Sequence, residues 1–233
     1  MVSFDAIAPS YRTLETIAFG RDLQGARVAC LGELVSPRRA LIVGEGNGRF
    51  LCELLRRHPD LAVDCVDASQ RMQEIARQRI EHELPDRTNR INFFPQDIAS
   101  WSSPEHQFDL IVTHFFLDCF PEHRLAEIVA KLSRAAAVNA TWLLADFCIP
   151  PGGFARWRAG LWLAAMYRFF QFTAGIEAKE LGDPSPFLRT AGFALVSQHL
   201  FRHGMVKSEL WRNIGILPVR PADILSAASD AAE

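Results

Sequence analysis

Most of what this chain can become is decided between Ala40 and Leu51, in the run Ala40-Leu41-Ile42-Val43-Gly44-Glu45-Gly46-Asn47-Gly48-Arg49-Phe50-Leu51. Leu41, Ile42 and Val43 form a short apolar run between Arg38-Arg39 and Gly44, the pattern of a covered parallel strand. From Phe50 the apolar residues Phe50, Leu51, Leu54 and Leu55 recur at helical spacing, with Glu53, Arg56 and Arg57 opposite them. Gly44, Gly46 and Gly48 between the two let the backbone turn tightly and approach a ligand with no Cβ in the way. A strand, a glycine turn and a helix in this order build the nucleotide-binding end of a doubly wound α/β sheet.

A second strand, Leu61 to Val66, ends on Asp67, about twenty residues beyond the glycines, where such folds place a carboxylate for the ribose hydroxyls. The glycine spacing is G-x-G-x-G, and Arg49 stands where a dinucleotide fingerprint needs its last glycine. That spacing argues against a nicotinamide or flavin dinucleotide. On these residues the chain resembles the class I S-adenosylmethionine-dependent methyltransferases, whose first motif has this short form. The resemblance implies a Rossmann-like seven-stranded sheet, mostly parallel with one antiparallel strand in a C-terminal hairpin, and helices on both faces. It also implies S-adenosylmethionine as cofactor and S-adenosylhomocysteine as product, with Gly44, Glu45, Gly46, Asn47, Gly48 and Asp67 as cofactor contacts.

Further motifs extend the likeness. The opening Phe4-Asp5-Ala6-Ile7-Ala8-Pro9-Ser10-Tyr11 resembles the N-terminus of the methyltransferases of ubiquinone and menaquinone biosynthesis, which implies that Tyr11 helps close the site; plain helix packing explains it equally well. A helix is expected from Arg21 to Leu34, and residues 1–37 would form a helical lid. In Asp67-Ala68-Ser69-Gln70-Arg71-Met72, Ser69 reads as a helix N-cap. The family pattern there implies that Ala68 and Met72 lie against ribose and adenine, although Met72 fits equally as core. Arg90 to Phe94 is a third strand, and the resemblance puts Asp97 on the adenine amino group with Ile98 over the ring.

His106 to Thr113 is a fourth strand, with Thr113 counted among the cofactor contacts. Beyond its carboxyl end, where open α/β sheets bind ligands, come His114, Phe115, Phe116, Leu117 and Asp118. His114 and Asp118 are candidate proton-handling groups; Phe115, Phe116 and Phe120 suit an apolar acceptor pocket. A histidine satisfied by backbone at a strand end is the alternative for His114. A helix is expected from Pro121 to Ala137 and a fifth strand over Thr141–Phe147. Residues 150–180 read as an inserted helix with aromatics almost all round, among them Trp162 and Tyr167, either buried in the fold or contacting an acceptor, a membrane surface or a second subunit. Phe193 to Arg202 and Met205 to Trp211 read as the closing hairpin.

At 233 residues and 49% apolar composition the chain fits a single domain over 1–212, with 213–233 a flexible tail. A net charge of −2 gives no general pull towards nucleic acid. Five scattered cysteines without a C-x-x-C pair read as reduced thiols. With no leader pattern and no apolar run near eighteen residues, a cytoplasmic protein without a transmembrane segment is expected, open to transient membrane-surface contact or homodimer formation. The seven histidines show no close ligand spacing, so no metal is expected.

The function these features imply is transfer of a methyl group to a small lipophilic or aromatic acceptor, of quinone type on the N-terminal match. One departure stands against it. Family members often carry an acid where this chain has Ile42 and a small residue where it has Glu45. A non-catalytic, cofactor-binding scaffold with a regulatory or assembly role is therefore the alternative. A nicotinamide-dependent reductase is the third reading, weakened by the glycine spacing.

Overall fold

The computed structural model describes residues 22–102, 104–150, 152 and 181–215. Seven strands run β1 Arg39–Val43, β2 Ala62–Val66, β3 Ile91–Phe94, β4 Phe108–His114, β5 Ala136–Phe147, β6 Phe193–Phe201 and β7 Val206–Asn213. The helices are α1 Asp22–Val28, α2 Arg49–Arg57, α3 Gln70–Glu83, α4 Glu122–Ala135 and α5 Ser185–Thr190. The strands form one sheet in the order β3-β2-β1-β4-β5-β7-β6, parallel except for β7, which runs antiparallel to both neighbours. This is the expected doubly wound sheet with its closing hairpin.

Both faces of the sheet are covered, which is why its central strands are apolar without alternation. On one face Ile42, Val63, Leu110 and Val112 pack with Phe50, Leu51, Leu54 and Leu55 of α2 and Ile80 of α3. On the other, Leu41, Val43, Ile111 and Trp142 meet Leu125, Val129 and Leu132 of α4 and Phe187 and Leu188 of α5. Two carboxylates at the start of the central strands are paired, as a low-dielectric interior favours. Asp64 accepts from Arg39 (3.2 Å) and Asn92 (2.8 Å), and the Asp109 carboxylate takes the Arg38 and Arg39 amides at 2.9–3.1 Å, anchoring the start of β1.

Two boundaries differ from expectation. The helix expected over 21–34 ends at Val28, followed by a separate 3-10 turn at Leu31–Glu33. Helical periodicity continues across that break because the turn also buries Leu31. β5 begins at Ala136, directly after α4, five residues earlier than expected, with an irregular pairing between Phe108 and Leu110 that accommodates the early entry. The lid segment before Asp22, most of the aromatic insertion and residues 216–233 of the expected tail lie outside the described residues; Asn213, placed in that tail, is the last residue of β7.

Candidate active site

The strand order reverses between β1 and β4, and a cleft opens there at their carboxyl ends, the switch point at which such sheets bind ligands. Its floor is the glycine turn. Gly44, Gly46 and Gly48 adopt φ of 71°, 72° and 80°, the left-handed region that side chains with a Cβ rarely enter. Their reasons differ. A Cβ on Gly44 would stand 2.8 Å from the Phe116 ring, and one on Gly48 would stand 2.9 Å from the Ala76 backbone in α3. A Cβ on Gly46 would meet no protein atom within 4 Å. Gly48 thus serves the packing of α2 on α3, whereas Gly46 leaves space open in the cleft wall.

Asp67 closes one side. Its two carboxylate oxygens accept from the Gly46 amide at 3.3 Å and the Ser69 amide at 2.9 Å, so the side chain is held over the turn. Ser69 caps α3 by accepting from the Met72 amide at 3.1 Å. Gln73, one turn on, donates to the carbonyls of Phe94 (2.6 Å) and Asp67 (3.2 Å), tying α3 to the ends of β2 and β3. Arg79 reaches the Asn47 carbonyl at 2.8 Å and fixes the glycine turn from the same helix. Met72, Ala68, Gln96, Asp97 and Ile98 complete that wall, Asp97 being ordered by an acceptor bond from the Ala99 amide at 2.8 Å.

The opposite wall is aromatic. Phe115, at φ 52°, packs against Phe147 and lies under the Arg27 guanidinium, 5.0 Å from the ring centroid. Phe116 stacks edge-on against Phe120 at 5.0 Å. His114 lies between the two walls, 7% exposed, with its ring edge-on to Phe50 at 4.5 Å. Its Nδ1 has no partner. Burial first and the Arg27 charge second hold its pKa well below the usual histidine value, so the ring is neutral at physiological pH.

Charge in the cleft is mostly negative, with Glu45, Asp67 and Asp97 against Arg27. The Glu45 Oε1 accepts from the Leu51 amide at 3.0 Å, at the N-terminus of α2. Glu45 is half-buried. Desolvation outweighs its hydrogen bond and the pull of Arg27, and its pKa is pushed up to about 7.

Of the residues expected at a site, Gly44, Glu45, Gly46, Asn47, Asp67, Ala68, Met72, Asp97, Ile98, His114, Phe115 and Phe116 line this one cleft. Three others do not. Gly48 sits behind the turn; Thr113 is fully buried with its hydroxyl accepting from Trp142 Nε1 at 2.8 Å; and Asp118 is buried beside Cys119, whose Sγ lies 3.6 Å from it. Tyr11, Trp162 and Tyr167 fall outside the described residues. Sequence reasoning missed Arg27, Gln96 and Cys119 as lining residues, because nothing local distinguishes them. It also missed Asp146 at the end of β5. Both oxygens of that carboxyl lack partners, and burial, then Asp118, push its pKa well up.

A family model described as "Methyltransferase domain" matches residues 40–139. A demethylmenaquinone methyltransferase of Roseiflexus sp. (strain RS-1) is 30% identical over 188 residues, 79% of this chain and 72% of that protein. A trans-aconitate 2-methyltransferase of Rhodococcus jostii (strain RHA1) is 33% identical over 89 residues, which span 38% of this chain and 31% of that enzyme. Among solved structures, mitomycin 7-O-methyltransferase superposes with a TM-score of 0.65 at 16% identity, over 91% of this chain and 60% of that one. At that identity the likeness is one of fold.

Proposed function

Because the chain belongs to the class I S-adenosylmethionine-dependent methyltransferases, we propose that it binds S-adenosylmethionine in this cleft and moves a methyl group to a small, apolar or aromatic acceptor. The observation that carries the proposal is the meeting of two unlike walls: a glycine turn with an oriented carboxylate on one side, and Phe115, Phe116 and Phe120 on the other.

The residues present fit the cofactor. Gly46 leaves room where any other residue would project a Cβ, and the Asp67 carboxylate is oriented over the turn by the Gly46 and Ser69 amides, at the place where ribose hydroxyls would donate to it. Three carboxyl groups facing one guanidinium suit a ligand with cationic sulfonium and ammonium groups. Ile42, where many relatives carry an acid, is buried against the α2 face and cannot reach the cleft. That leaves Glu45 as the nearest acid for the ammonium end.

The cofactor supplies an electrophilic methyl group, so that the bond to the acceptor forms as the bond to sulfur breaks. The chain's part is to align the two molecules and keep water out, which is where most of the rate of such a displacement arises. Phe115 and Phe116 would hold the flat face of the acceptor, with Arg27 above Phe115 fixing that ring. His114 is the proposed proton acceptor, at its unpartnered Nδ1. A ring with so low a pKa is a weak base, adequate only for an acceptor that is itself acidic, such as a phenol or quinol. Asp118 lines no part of the cleft, so we give it no contact with the reacting atoms. Closure by residues 1–37 and 150–180, including Tyr11, Trp162 and Tyr167, remains part of the proposal. Arg27, from the lid segment, supports it.

One observation favours the non-catalytic alternative. The Glu45 carboxylate already caps the Leu51 amide, which competes with any role at the ammonium end. Labelled methyl transfer to a panel of prenylated quinols, simple phenols and polar carboxylic acids separates the readings. Transfer to quinols or phenols is expected. Transfer only to polar acids would overturn the apolar acceptor, and intact cofactor binding without any transfer would favour the scaffold.

A further inference from the structure

Away from the cleft, the fold brings together three side chains that sequence spacing keeps apart. Cys30 and Glu33 flank the 3-10 turn after α1, and His199 lies on the edge strand β6, 166 residues from Glu33. His199 Nε2 stands 3.2 Å from Glu33 Oε1, and the ligand atoms of all three residues lie within 4.8 Å of one another. We propose that Cys30 Sγ, Glu33 and His199 Nε2 bind a zinc-class divalent cation, joining the turn after α1 to the sheet edge.

The donor set chooses the class of ion. A thiolate and an imidazole suit Zn²⁺ and its d-block neighbours, not Mg²⁺ or Ca²⁺, which take oxygen ligands. Tetrahedral zinc with bonds of about 2.0–2.3 Å holds its ligand atoms roughly 3.3–3.8 Å apart. The His–Glu separation of 3.2 Å is just short of that range, and the sulfur needs a shift of about an ångström or less. The side chains of Glu33 and His199 can supply that shift, being 38% and 47% exposed, and their exposure gives the ion a way in. Cys30 is fixed at 2% exposure.

The surroundings suit a ligated thiol. Ser208, paired with His199 across the β6–β7 ladder, puts its hydroxyl 3.5 Å from Cys30 Sγ, where it can donate to a thiolate. Ser197, two residues before His199, has a buried Oγ that stands close to both Cys30 and Glu33. That hydroxyl, or a water held by it, completes a four-coordinate site. Burial and the neighbouring Glu33 charge raise the Cys30 pKa, so in the metal-free protein the thiol keeps its proton. On binding, that proton leaves to solvent as the metal–sulfur bond forms. The ion would also steady Arg27, which stands just before the turn and lines the cleft.

The test is a Co²⁺ titration of the full, chelator-treated chain, followed by thermal melts with and without Zn²⁺. The expected result is a thiolate-to-Co²⁺ charge-transfer band that saturates at one ion per chain and is displaced by Zn²⁺. It should be absent in Cys30→Ser, and the affinity should fall by about tenfold or more in His199→Gln. Zn²⁺ should raise the melting midpoint of the wild type, raise that of His199→Gln by less at the same concentration, and leave that of Cys30→Ser unchanged. His199→Gln alters a half-exposed side chain, so it decides the matter even if Cys30→Ser folds poorly. No band in the wild type, or a band that survives both substitutions and so reports another of the five cysteines, would overturn the proposal.

Discussion

Glu45, half-buried, and His114, buried, share one cleft and respond to pH in opposite directions. With a folded pKa of about 7 against an ordinary carboxyl value near 4.5, Glu45 binds more protons folded than unfolded between those pH values. Its contribution to stability therefore falls as pH rises through that window. His114 is held well below its ordinary value, so below about pH 6.5 the unfolded chain takes up a proton that the folded chain refuses. Its effect is to lower stability as pH falls. Glu45→Gln keeps the shape and removes the charge. It should match the wild-type melting midpoint near pH 5 and exceed it above pH 7, leaving the histidine slope at low pH. A difference between the two proteins that does not change with pH would contradict the account.

At the scale of elements, the glycine turn and α3 make the sharpest predictions. Gly48→Ala forces a left-handed φ on a residue with a Cβ and drives that Cβ to 2.9 Å from the Ala76 backbone. Backbone strain and overpacking together should cost about 2–4 kcal/mol, read by denaturant unfolding. Gly46→Ala carries only the backbone cost, about 1–2 kcal/mol, because its Cβ meets nothing in the protein. Its larger effect should be on cofactor affinity. Equal losses of stability for the two would contradict the separate roles given to these glycines. Ser69→Ala removes the N-cap acceptor for Met72 and should cost about 1 kcal/mol in the same measurement. The β1–turn–α2 unit and the Ser69 cap were legible in the sequence because their physics is local: a strand run, a turn that needs glycine, a side chain reaching three residues on. The shortened α1 was not, since Leu31 continues the apolar period across the break. Thr113 also misled, because its hydroxyl is taken by Trp142 from a neighbouring strand. Arg27 entering the cleft, Gln73 tying the carbonyls of Phe94 and Asp67, and Cys30 meeting His199 are all long-range consequences of packing that no spacing rule encodes.

At the scale of the whole molecule, the sheet reversal between β1 and β4 joins two chemistries that neither half of the chain holds alone. The polar wall comes from the ends of β1, β2 and β3, the aromatic wall from the end of β4 and the segment after it. A ligand that binds the folded chain alone should stabilise the entire domain, by about 2.7 kcal/mol at a concentration one hundred times its dissociation constant. S-Adenosylhomocysteine should thus raise the melting midpoint in a single cooperative transition. Among the described residues no helix is long and apolar enough to cross a membrane. Vesicle flotation with and without a prenylated quinol tests whether an apolar acceptor of the proposed kind is met at a membrane surface or in solution.

The central claim is that the glycine turn and Asp67 hold S-adenosylmethionine. Calorimetric titration of S-adenosylmethionine and S-adenosylhomocysteine into the wild type and Asp67→Asn tests it most directly. Each charge-assisted bond to a ribose hydroxyl is worth about 1.5–3 kcal/mol. The wild type should bind both ligands at one site, and the variant should bind them at least about tenfold more weakly while remaining folded. A wild type that binds neither ligand, or a folded variant that binds them as tightly as the wild type, would contradict the account.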